Sequence, residues 1–71
     1  MRLTAIIHKE EDMYVALCPE LDIASQGYTI EEAKDNLKEA ISLFLECASQ
    51  EEIEERVSED VYISSIEVAN A

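Results

Sequence analysis

Residues 29–48, TIEEAKDNLKEAISLFLECA, decide the fold of this chain. Thr29 followed three residues later by Glu32 is a capping box, in which the hydroxyl accepts a free amide of the first helical turn and the carboxylate reaches back over the start. Glu31 and Glu32 also set negative charge at the positive end of the helix dipole, so the helix is predicted to begin at Ile30. Apolar residues then recur at Ile30, Ala33, Leu37, Ala40, Ile41, Phe44, Leu45 and Ala48, with Glu31, Asp35, Lys38 and Glu46 opposite. That stripe has helical period and predicts burial of one whole face against a sheet. Each large side chain fully buried contributes about 1.5–3 kcal/mol, so Leu37→Ala and Phe44→Ala should be among the most damaging substitutions.

Upstream, residues 2–9 mix β-branched and apolar types with polar ones, Glu10-Glu11-Asp12 interrupts them, and residues 13–18 resume the pattern. This reads as a hairpin. A three-residue loop would set Ala5 and Ile7 beside Val15 and Leu17, whereas a four-residue turn would pair Ile7 with Ala16, and both registers stay open. Pro19 ends the second strand, because it cannot donate to a ladder. A third strand is expected over 23–26, and Gly27, the only glycine, marks a positive φ or a close backbone approach before the helix. Beyond the helix, Ser49 and Glu52 form a second possible capping box leading into 51–57 as a short acidic helical turn or irregular connection. Residues 61–68 then read as a fourth strand. The expectation is one α+β domain over residues 1–71, β-β-β-α-β, with a four-stranded sheet and one main helix packed on one face. A right-handed crossover would set the last strand beside the first and parallel to it, in the order 3-2-1-4. One helix leaves the second sheet face partly apolar, which asks for a partner.

A chain of 71 residues is near the lower limit for a self-sufficient core, so a homo-dimer or higher homo-oligomer is expected. Seventeen acids against five bases give a net charge of −12, which repels nucleic-acid phosphates and attracts basic surfaces. No apolar run reaches the roughly 18 residues of a spanning helix and no signal-peptide core is seen, so the chain reads as cytoplasmic, without a membrane partner. Cys18 and Cys47 lack CxxC spacing and read as core filler. His8 stands on a strand with no acid at adjacent same-face spacing, and three or four ligands are needed for a metal. Glu51, Glu52, Glu54 and Glu55 lack the loop and turn glycine of an EF-hand. No nucleophile with a base and no phosphate-binding loop occurs, so no catalytic, cofactor or metal residues are expected and the chain does not read as an enzyme.

The ordered series Tyr14-Val15-Ala16-Leu17-Cys18-Pro19-Glu20-Leu21, Ser25-Gln26-Gly27, Thr29-Ile30-Glu31-Glu32-Ala33 and Asn36-Leu37-Lys38-Glu39-Ala40 resembles the HicB antitoxin family over most of the chain. The resemblance implies a degenerate ribonuclease H-like fold. It also implies a partner: HicA, a small basic toxin similar to a double-stranded-RNA-binding domain, which cleaves mRNA with a histidine. Many members carry a C-terminal DNA-binding domain, whereas this sequence reads as a short form without one, which puts transcriptional autoregulation by this chain alone in doubt. Asp22-Ile23-Ala24 stands where the family commonly has a Pro-Gly connection about one residue longer.

The leading expectation is therefore an antitoxin-type module that neutralises a basic HicA-like toxin by masking its surface. From Glu39 onward there are nine acids and one base, Arg56, a net of −8. Within that half, Glu51, Glu52, Glu54, Glu55, Glu59 and Asp60 are the candidate partner-binding residues, against the plainer reading of a solvated charge run. The alternative is a stand-alone oligomeric regulatory domain without a toxin. A residual metal-dependent nuclease is disfavoured, because such enzymes of this fold need a carboxylate on the first strand and residues 2–9 hold none.

Overall fold

The computed structural model describes residues 2–58 and 60–69. Three strands, β1 (Ile6–Glu10), β2 (Met13–Cys18) and β3 (Ile23–Gly27), precede the long helix α1 (Ile30–Cys47) and the short helix α2 (Gln50–Arg56). The strands form an antiparallel sheet in the order β1-β2-β3, and the fold is α+β.

The hairpin takes the tight option. Ile7 pairs with Ala16 and Glu10 with Met13, and Glu11 turns the chain at φ 55°. This register puts Ile7, Ala16 and Ser25 in one cross-strand row and Ile6, Leu17 and Ala24 in a row on the opposite face. The first row faces α1. Ala16, Cys18 and Leu21 are buried there with Ala33 and Leu37 of the helix, and Leu3, Ile7, Tyr14, Ile23, Ile41, Phe44 and Val57 pack around them.

Helix α1 starts as its sequence predicts. The Thr29 hydroxyl accepts from the Glu32 amide at 3.0 Å, while the Glu32 carboxylate takes the amide of Tyr28, one residue before the cap, at 3.2 Å. Gly27 has no positive φ; it serves close approach, since a Cβ there would lie 2.6 Å from the backbone nitrogen of Ala33. The apolar stripe is buried only at Ala33 and Leu37. Ile41, Phe44 and Leu45 are half-buried and Ile30 is exposed, because the helix lies over β3 and β2 and barely reaches β1. The connection from β2 to β3 turns at Asp22, at φ 54°, a left-handed conformation that a short polar side chain tolerates better than most. Asp22 thus does there what a glycine would do.

The fourth strand expected over 61–68 is absent from the sheet. These residues lie in no strand or helix, and Tyr62, Ile63, Ile66 and Val68 are 87, 64, 83 and 75% exposed. β-Propensity is a preference for a pleated, half-buried surface and becomes structure only where an edge is at hand to pair with. The described residues therefore form a three-stranded sheet in the order β1-β2-β3 with two helices, and the fourth strand of the expected order 3-2-1-4 is not seen among them.

Candidate partner-binding surface

The acids singled out in the sequence are brought together on α2. Ser49 caps it, accepting from the Glu52 amide at 3.1 Å and donating its hydroxyl to the Glu52 carboxylate at 3.2 Å. At 3.6 residues per turn, Ile53, Arg56 and Val57 share the inner face, and Glu51, Glu52, Glu54 and Glu55 share the outer one. All four glutamates are exposed. Asp60 is exposed just beyond, and Glu59 lies outside the described residues.

What keeps the outer face purely acidic is a base turned inward. Arg56 donates from Nε to the carbonyl of Leu21 at 2.8 Å and from Nη2 to that of Asp22 at 3.2 Å, with its guanidinium 5.5 Å from the centre of the Phe44 ring. The next amide but one, that of Ser58, donates to the Glu20 carbonyl at 2.8 Å. Helix α2 is thereby pinned to the β2–β3 connection. Neither anchor was singled out from sequence; the one base within an acidic run, three residues after Ile53, was the available signal.

A second acidic group, Glu10, Glu11 and Asp12, sits at the hairpin end, the far end of β2 from α2. It borders a shallow depression of about 610 Å³ with Met13 and Val15 on its floor and Tyr28 at its side. Between the two acidic ends runs the sheet face that no helix covers. Its central rows are Ile6–Leu17–Ala24 and His8–Val15–Gln26. The sequence left this face unassigned because a slip of one residue exchanges the two faces of a strand.

His8 lies on that face with Nε2 3.6 Å from a carboxylate oxygen of Glu10, both side chains well exposed. The expectation of no same-face acid is corrected: β1 runs on to Glu10, which stands two residues away on the same side. The first strand therefore does carry a carboxylate, at its solvent-exposed end. Among the described residues, no three His, Cys, Asp or Glu side chains gather closely enough to hold a metal ion.

Of the cysteines, Cys18 is buried, as expected, and Cys47 is exposed at the end of α1. Burial pushes the Cys18 thiol above its ordinary range, and its S–H donates to the Glu20 carboxylate at 3.5 Å. Glu20 is held below the usual carboxylate range by the Thr4 hydroxyl, which donates to it, together with the Thr4 amide at 3.0 Å. This pair is a structural clamp between the chain entering β1 and the β2–β3 connection.

Over 72 aligned residues the chain is 39% identical to a UPF0150 protein of Helicobacter pylori, covering the whole of both chains. The chain belongs to the UPF0150 family. It is also 56% identical over 46 residues to a UPF0150 protein of Synechocystis, across 62% of this chain and 64% of that one. Neither relative's name states an activity or a partner. No family model and no solved structure matches the chain. Among the described residues no helix is both long and apolar enough to cross a membrane.

Proposed function

We propose that this UPF0150 protein is a cytoplasmic, non-enzymatic antitoxin-type module that binds and masks a small basic HicA-like mRNA-cleaving toxin. The observation that carries this reading is the uncovered apolar sheet face lying between two acidic groups, Glu10-Glu11-Asp12 at one end and the outer face of α2 at the other. Opposed fields accelerate encounter and are screened by salt, whereas desolvated apolar contacts set how long a complex lasts. The resemblance to HicB supports the same reading and extends it to the fold: a degenerate ribonuclease H-like sheet, completed when residues 61–68 pair beside β1.

The test is neutralisation of a purified basic toxin encoded beside this protein, read by RNA cleavage and by association kinetics at several salt concentrations. The protein should suppress cleavage. Reversal of Glu51, Glu54 and Glu55 to Lys, which leaves the Glu52 cap in place, should slow association by about tenfold and flatten its salt dependence. Leu17→Ala and Val15→Ala should instead speed dissociation. An unaltered association rate and salt slope would make the acidic face of α2 an ordinary solvated surface, and undiminished cleavage at saturating protein would remove the antitoxin reading altogether.

A further inference from the structure

On the helix-bearing face, where α1 barely reaches β1, a groove of about 840 Å³ lies between the chain entering β1 and the flank of the helix. Leu3, Ala5, Ile41 and Leu45 line its apolar part. Its helix rim carries Glu31, Asp35, Lys34 and Lys38, two charges of each sign, in a chain of net charge −12. From Ala5 the chain runs directly into β1, whose outer edge pairs with no strand among the described residues.

The groove lacks a strand, and the chain carries an unpaired one. Residues 61–69, VYISSIEVA, contain a single charged side chain, Glu67. A nearly neutral apolar segment suits a rim of zero net charge, whereas a strongly basic partner finds its complement on the acidic ends instead. The lengths agree: residues 3–10 and residues 61–68 each span about 26 Å when extended.

Whose segment fills the groove follows from the root of the arm. Ser58 is fixed to the Glu20 carbonyl, and Glu20 also clamps Thr4, a groove residue, so the arm leaves beside the groove mouth. Only residues 59 and 60 separate that anchor from Val61. So short a connection in the sequence disfavours folding back on the same copy and favours exchange with another. Residues 62–69 are exposed along their whole length, and the radius of gyration is 14.2 Å with a longest extent of 48 Å, against about 11 Å for the radius of a compact domain of this length.

We propose that residues 61–68 of one copy add as a strand to the β1 edge of a second copy, filling the groove between β1 and α1, in a reciprocal twofold exchange. Each copy then supplies the fourth strand of the other's sheet. The open face and the acidic ends stay outside this interface, so the exchange stands or falls independently of the toxin.

The experiment uses the full chain. Light scattering should return a dimer of the 8.0 kDa chain, and Ile63→Asp with Ile66→Asp, which places a carboxylate on each face of the arm, should give a monomer with unchanged helical circular dichroism. In a Cys47→Ser background, Ala5→Cys in one chain and Ile63→Cys in another should form a disulfide-linked heterodimer on mixing. A wild-type monomer, a double-Asp variant that remains dimeric or loses its helix signal, or a chain carrying both cysteines that closes on itself as a cross-linked monomer would each overturn the exchange.

Discussion

The two sides of the sheet are finished to different degrees. At β3 the helix arrives at backbone contact: Gly27 lies against Glu32 and Ala33, and the Asn36 amide nitrogen donates to the Gln26 carbonyl at 2.8 Å, occupying part of the outer edge of β3. At β1 the helix barely touches the strand, the edge pairs with no strand among the described residues, and the apolar stripe of α1 runs out half-covered at Ile41 and Leu45. A single helix about 10 Å wide cannot roof three strands spaced about 4.8 Å apart together with both edges, so sealing one side leaves the other for a further strand. An unblocked edge of this kind is a template for pairing with another chain.

The sharpest way to break this comparison is to truncate the apolar stripe on each side of it. Leu37 is 2% exposed and Ile30 is 53% exposed. In the monomeric Ile63→Asp/Ile66→Asp variant, whose groove is unfilled, Leu37→Ala should cost about 2–5 kcal/mol, enough to unfold much of the population of so small a domain, and Ile30→Ala less than about 0.5 kcal/mol; urea denaturation reads both. Comparable losses at the two positions would mean that α1 is buried evenly and that the unfinished side is not real.

The contact at β3 is tested next by Gly27→Ala. The added methyl meets the backbone of Ala33 and Glu32, at 2.6 and 2.8 Å, not a movable side-chain tip. A loss of about 1–3 kcal/mol is expected, the range of an overpacked core site. A neutral or stabilising effect, as removal of glycine flexibility alone would give, would show that helix and strand can part freely.

The smallest expected effect concerns the clamp at the entrance to β1. Glu20 is depressed in the folded protein chiefly by the Thr4 hydroxyl. Its folded pKa thus lies below its unfolded value, so its contribution is present above the ordinary carboxylate pKa and is lost as pH falls through the depressed folded one. Glu20→Gln should lower the urea midpoint modestly at neutral pH and have no effect once the wild-type carboxyl is protonated. A difference that persisted unchanged into acid would assign the effect to packing and not to the Thr4–Glu20 hydrogen bonds.

How far the sequence reached can be seen at particular residues. The Thr29 cap, the start of α1 at Ile30 and the span of β2 were legible, because capping and strand pattern are local properties of consecutive residues; Gly27 was legible as a special position, but only the packing of α1 on β3 chose close approach over a positive φ. The acidic face of α2 was legible as charge. Its attachment was not, because Arg56 reaches carbonyls 34 and 35 residues earlier in the chain. His8 and Glu10 were missed as a pair because the strand was taken to end one residue early, and strand ends depend on the partner that continues the ladder.

By itself, then, the sequence determined the class α+β, the order of the first three strands and the main helix, and the sign of the surface. The tertiary structure alone decided the hairpin register, which strands α1 covers, and that residues 61–68 stand outside the sheet. Local pattern specifies what a segment can become, but a strand exists only with a neighbour, and the free energy of pairing belongs to two segments brought together across the fold. For residues 61–68 the pattern of a strand is complete in the chain, and the missing neighbour is a matter of geometry.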